Sequence, residues 1–189
     1  MNKQIIKEIN ELRRNPYQYS EKLVKNKQYF QNGGKNWKHP DIKTTIRTEE
    51  GSAAYDEAID FLKSFSPTSP LEDLTPSKGL NKIASECLYK YQKDPNQNVE
   101  LEPIVEKTGE FTGAFRRLVE FGSNTAELVI VNLLVCDGDK SRVYRAALLD
   151  DKLKKVGVAH GKHDLYNNCS VIVACTTFKN KFDPDDSVK

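Results

Sequence analysis

Apolar residues recur at helical spacing through the first two thirds of the chain and at strand spacing only near its end. Ile5, Ile6, Ile9 and Leu12 make one stripe that stops at the pair Asn15–Pro16. Asn15 can cap a second helix with Pro16 in its first turn, which turns Tyr19, Leu23 and Phe30 inward. The stretch "KNKQYFQNGGKNWKHPDIKTTIRTEEG" has no period and reads as a long loop. A third helix is expected over about residues 52–65, carrying Ala54, Ile59, Phe61, Leu62 and Phe65, and "SPTSPL" ends it. The fourth has the strongest pattern: Thr75 as cap, Pro76 in the first turn, then Leu80, Ile83, Ala84, Cys87, Leu88 and Tyr91 on one face.

"NTAE" at Asn124–Glu127 has the form of a capping box and predicts a fifth helix to about Val135. Its "LVIVNLLV" run is β-branched, but the cap and the length favour helix. "SRVYRAALLDDKLKKVGVAHG" reads as a short helix running into a strand. "KKVGVAH" and "CSVIVACTTF", separated by the turn-like "GKHDLYNN", predict two strands paired antiparallel. The expected fold is therefore α+β: a three-layer α/β/α sandwich with a small antiparallel sheet between helices. A single domain is expected over residues 1–178, followed by a charged tail over residues 179–189.

With 189 residues, 38% hydrophobic and 30% charged, the chain can bury a sizeable core under a heavily solvated surface. A net charge of +2 argues against electrostatically driven binding to nucleic acid or to membranes. No run approaches the ~18 apolar residues of a membrane span. "MNKQIIKEINELRR" lacks the apolar core of a signal peptide, so an intracellular, cytoplasmic location with reduced thiols is expected. The four cysteines, Cys87, Cys136, Cys169 and Cys175, have no CxxC spacing.

The order of these motifs resembles the CAP superfamily (cysteine-rich secretory proteins, antigen 5 and pathogenesis-related-1 proteins), in its divergent protist and bacterial branches. "EINELRRNPYQYSEKL" is similar to the family's opening helix, and "TEEGSAAYDEAIDFLKSFSPTSPLEDLTPSKGLNKIASE" to the segment leading into its second core helix. "LLVCDGDKSRVYRAALLDDKLKKVGVAHGKHDLY" is similar to the helix, turn and strand bearing the family's signature.

That resemblance implies a cleft built on two histidines and two acidic residues, which in many members hold a divalent cation. Carried over, the histidine positions fall on Cys87 in "ASECL" and Tyr144 in "SRVYR". One acidic position falls near Arg117, the other at Cys136 or Asp137 in "VCDG". A phenol is a poor ligand at neutral pH and an arginine repels a cation. A degenerate cleft follows, with no metal, no cofactor and no catalysis expected.

Other candidate groups weigh less. Cys87 and Cys136 read as buried small hydrophobes rather than a redox or metal pair. Cys169 and Cys175 share one strand face but lie too far apart to bridge. His160 and His163 have i, i+3 spacing at a strand–turn junction, which does not favour metal binding. Arg116, Arg117, Arg142 and Arg145 form either an anion site or ordinary ion pairs. Asn168 in "NCS" fits a glycosylation sequon, discounted without a secretory leader. Trp37 in "KNWKHP" is either an exposed partner anchor or a plug on the helices, and Tyr29 is a second candidate contact. The function expected is that of a non-enzymatic scaffold unit docking on other proteins of a large assembly, cytoskeletal or ciliary, in a protist. The loop over residues 31–51 and the tail are expected to supply contacts. Lipid or sterol binding, in a secreted protein, is the alternative.

Overall fold

The computed structural model describes residues 1–31, 34–67 and 69–181. Thr68, the Asn32–Gly33 pair of the expected docking loop and residues 182–189 of the expected tail lie outside the described residues. Helices α1 (Asn2–Arg14) and α2 (Pro16–Lys27) meet at Asn15, whose side chain accepts from the Gln18 amide as the sequence predicts. The long loop then contains a small ribbon, β1 (Asn36–Trp37) paired antiparallel with β2 (Ile46–Arg47). Helix α3 (Ser52–Ser64) follows.

Strand β3 (Thr75–Pro76) corrects the expected start of the fourth helix. Thr75 and Ser77 donate their amides to Lys154 and Val156 carbonyls, a short parallel pairing that a proline tolerates at a sheet edge. The cap of α4 (Lys78–Tyr91) is instead Ser77, whose hydroxyl accepts from Leu80 N at 3.1 Å. Next come α5 (Glu102–Thr108) and β4 (Gly109–Phe121), neither of which the apolar pattern predicted. Helix α6 (Ala126–Val135) also starts one residue later than expected. Thr125, not Asn124, caps it, because Asn124 reaches away to the Asp41 carbonyl while Glu127 accepts from Asn26. Helix α7 (Val143–Leu148) leads to β5 (Lys155–His163) and β6 (Asn167–Asn180).

The fold is α+β, with helices on both faces of a four-stranded sheet of order β3-β5-β6-β4. The antiparallel β5–β6 pairing is as predicted, with Gly157 opposite Val173. β6 is central, which explains its unbroken apolar run: Cys169, Val171, Val173 and Cys175 face one layer, Ile172 and Ala174 the other. α1, α2, α3, α6 and α7 cover the second of these faces, and α4 and α5 the first. Lys179 and Asn180 pair with Glu110 and Gly109, so strand pairing continues past Phe178 into the first residues of the charged segment.

Two contacts fix the layers. An added Cβ on Gly157 would lie 2.1 Å from the backbone carbon of Leu80, so α4 sits directly on β5 there. Arg13, 1% exposed, donates to the carbonyls of Glu72, Leu148, Asp150 and Leu153, tying α1 to the chain ahead of β3 and to the turn after α7. Its neighbour Asn10 exchanges two hydrogen bonds with the Leu74 backbone. The Asn and Arg of the opening helix are therefore structural staples.

Candidate functional site

Helix α6 ends at Cys136 in a left-handed conformation (φ 49°), and the turn that follows is held by charge. The Asp137 carboxylate accepts from the amides of Glu49 (2.7 Å) and Glu50 (2.9 Å), fixing the chain ahead of α3. Glu50 in turn accepts from Gly138 N and binds Arg142 through both oxygens. That hydrogen bonding holds Glu50 down to about 2. Glu57 binds Arg142 and Arg145, and Arg145 also donates to the Leu134 carbonyl. Arg116 pairs with Asp150, and Arg117 donates to the Val99 carbonyl and lies over the Tyr91 ring. Arg142 and Arg145 share Glu57 while Arg116 and Arg117 each have a partner elsewhere, so the four arginines do not converge on one anion site.

This clamp leaves a recess of about 320 Å³ between α6, α7, β4 and the β1–β2 ribbon. Cys136, Asp137 and Tyr144 line it. Cys87 and Arg117 do not. Arg117 alternates with Val119 and Phe121 on the β4 face that meets α4, where Cys87 is buried. Of the five positions implied by the family resemblance, three thus line the recess and two lie in the α4–β4 packing beside it, with the Arg117 charge acting on both Cys87 and Tyr144.

Chemistry at these positions is quiet. Burial raises the thiols of Cys87 and Cys136, with nearby Arg117 and Arg145 only partly opposing it. Cys136 donates to the Leu133 carbonyl at 2.9 Å. Burial likewise raises the Tyr144 phenol, against the Val119 backbone and the Arg117 charge. All four cysteines are buried and unbridged.

The recess contains a group that the sequence reading missed. Glu120 on β4 is 6% exposed, and its Oε1 accepts from Ser123 Oγ (2.6 Å) and Asn132 Nδ2 (3.2 Å). Its Oε2 is buried without a partner among the described residues. Burial raises its carboxyl to about 7 despite those two donors and the nearby Ser123 amide. Asn132, the one polar residue within the apolar "LVIVNLLV", was the available signal: such a residue inside a buried helix needs a partner.

No histidine lines the recess. His39 is stacked on Trp37 and edge-on to Tyr29, His160 meets Ser170 Oγ at 2.9 Å, and His163 accepts from the Leu165 and Tyr166 amides. Among the described residues, no group of three or more His, Cys, Asp or Glu is placed to hold a metal ion. Trp37 is 3% exposed and donates Nε1 to the Asn26 carbonyl at 2.9 Å. The exposed-anchor reading of Trp37 is thereby corrected: the ring plugs the ribbon onto α2 because its N–H finds a buried acceptor there. Tyr29 is half-buried beside it. No helix of the described residues is long and apolar enough to cross a membrane.

No protein-family model matches the chain, and no curated protein matches it. Among solved structures it is similar to an outer surface protein from Borrelia burgdorferi, at 17% identity over 59% of this chain and 80% of that one, with a TM-score of 0.41. It is also similar to a cysteine-rich secretory protein from Staphylococcus aureus subsp. aureus Mu50, at 16% identity and a TM-score of 0.43. The latter similarity covers 71% of this chain but only 43% of the staphylococcal chain.

Proposed function

We propose that the chain is a divergent CAP-type domain that acts by binding other proteins, as a rigid non-catalytic unit of a larger assembly. One observation carries this reading. The residues at the family's ligand positions are engaged in holding the fold: Asp137 caps the segment before α3, and Cys87 is core. The setting proposed is intracellular, cytoskeletal or ciliary, and unbridged buried thiols suit a reducing compartment. Isolation of the native chain under mild lysis tests the proposal. It should run with a defined set of partners at fixed stoichiometry, and a monomer in every native fraction would refute it.

A second reading rests on a different place. A groove of about 670 Å³ between α5 and β4 is lined by Leu101, Val105, Phe111 and Phe115 together with Glu102, Glu106, Glu110 and Lys181, and Phe111 is 40% exposed. Such an apolar groove suits a lipid or sterol chain. Saturable binding of a fluorescent sterol or fatty acid, lost in Phe111→Asp, would favour this reading.

A further inference from the structure

The charges and walls of the recess select one kind of ligand. Every charged side chain lining it is acidic: Glu120, Asp137 and Asp139. No lysine, arginine or histidine is among its described lining residues. Asp137 and Asp139 are already engaged, the first by backbone amides and the second by the Ser141 amide and hydroxyl. Glu120 keeps one oxygen unpartnered, and an unpaired buried carboxylate oxygen is costly unless something donates to it. The remaining lining is largely apolar and aromatic, including Trp37, Tyr55 and Tyr144.

We propose that the recess beside Glu120 binds a small organic cation, an alkylammonium whose charge meets the Glu120 carboxylate while its carbon groups rest on the aromatic walls. Aromatic faces attract ammonium groups, and a carboxylate adds the counter-charge. A bare metal ion suits the lining poorly, because hard cations need six or more oxygens. An anion would meet no cationic side chain among the described lining residues. At about 30 Å³ per non-hydrogen atom, a recess of about 320 Å³ admits roughly ten such atoms.

Titration adds a signature. Titratable groups sharing the recess with Glu120 are Cys136, Asp137 and Asp139 from the α6–α7 turn, Tyr144 from α7 and Tyr55 from α3, and Cys169 from β6 lies close enough to feel its charge. None of them is a cation. Burial holds the Glu120 carboxyl near 7, so a cation must displace its proton below that pH. Binding should strengthen about tenfold per pH unit as pH rises towards 7 and level off above it. This inference concerns the recess alone, so its failure leaves the docking proposal standing, and the isolation of native complexes tests that separately.

Calorimetric titration of the full chain with choline, tetramethylammonium and n-butylammonium at pH 8 tests the site, with 3,3-dimethylbutan-1-ol as the neutral counterpart of choline. The expected result is saturable binding of at least one cation, at least tenfold tighter than the alcohol, with proton release at pH 6. Glu120→Gln should lose tenfold or more in cation affinity. Should that variant fold poorly, Tyr144→Leu should weaken cation binding and leave the alcohol unaffected. Equal affinity for choline and the alcohol, no saturable cation binding at millimolar concentration, or unchanged cation binding in the folded variants would overturn the proposal.

Discussion

Raising the pH from 5 to 8 should destabilise the protein through Glu120. Its folded-state carboxyl lies near 7 against an ordinary value of 4.5, because burial penalises the charged form. A raised pKa means that the folded chain holds the proton more tightly than the unfolded one. Its stabilising contribution is complete below about 4.5 and is lost as pH rises through about 7. At about 1.4 kcal/mol per unit, a shift of that size is worth about 3 kcal/mol. Other groups titrate nearby with the opposite sign. Burial lowers His39 and His160, which costs stability as pH falls through about 6.5, and Glu50 and Glu57 lose their arginine pairing in acid. Comparison with Glu120→Gln cancels these, since Gln keeps an oxygen for Ser123 and Asn132. Urea unfolding of both proteins at pH 5, 6.5 and 8 should show the variant gaining on the wild type by about 2–3 kcal/mol across the series, part of the full effect being lost already at pH 5. A difference that stays constant with pH would show that Glu120 is not held protonated.

Four further outcomes follow from the packing. Trp37→Ala should cost about 3–5 kcal/mol in denaturant unfolding, since it empties a buried site and strands the Asn26 carbonyl. Gly157→Ala should cost about 1–3 kcal/mol or more, because α4 backbone occupies the space its Cβ needs, and a neutral melting temperature would contradict that contact. Arg13→Met should lose about 3 kcal/mol or more, and Arg13→Lys should recover little, because only the guanidinium fork spans four carbonyls. Thiol titration should find no rapidly reacting cysteine in the native protein and four after denaturation without reductant.

The helical stripes and the β5–β6 pair were legible because each buries one regular set of positions. Ile5, Ile9 and Leu12, or Leu80, Ile83 and Cys87, repeat at the period of the element that carries them. Strand β4 was not, and the reason is its place in the sheet. It lies at the edge, its residues from Glu110 to Thr112 are exposed, and Gly113 (φ +78°) breaks the alternation where the pairing shifts between Thr112 and Phe115. Only Leu118 and Glu120 in its second half are buried, and a glutamate does not read as a core position. The cap errors have a similar source. Thr75 and Asn124 have the right chemistry for caps, but Thr75 takes a strand pairing and Asn124 the Asp41 carbonyl, neither visible locally.

The candidate site was hidden by the same circumstance. Asn132 is anomalous alone, a polar residue in the most apolar helix of the chain, and Glu120 is unremarkable alone, one more charge in "FRRLVEF". They account for each other only once β4 is laid beside β6 and α6 crosses that end of the sheet, bringing Asn132 Nδ2 to Glu120 Oε1 and Ser123 Oγ. Three polar groups then sit in a core that could have been closed with leucine at less cost. Asp137, on the same recess, has both carboxylate oxygens satisfied, each by a backbone amide. Glu120 satisfies one and leaves the other unpaired, a state shared among the described residues' buried side chains by Asn26 Oδ1 and His163 Nε2. That difference between two acids of the same recess is the point at which the proposed cation would act, by supplying Glu120 with the partner that Asp137 already has.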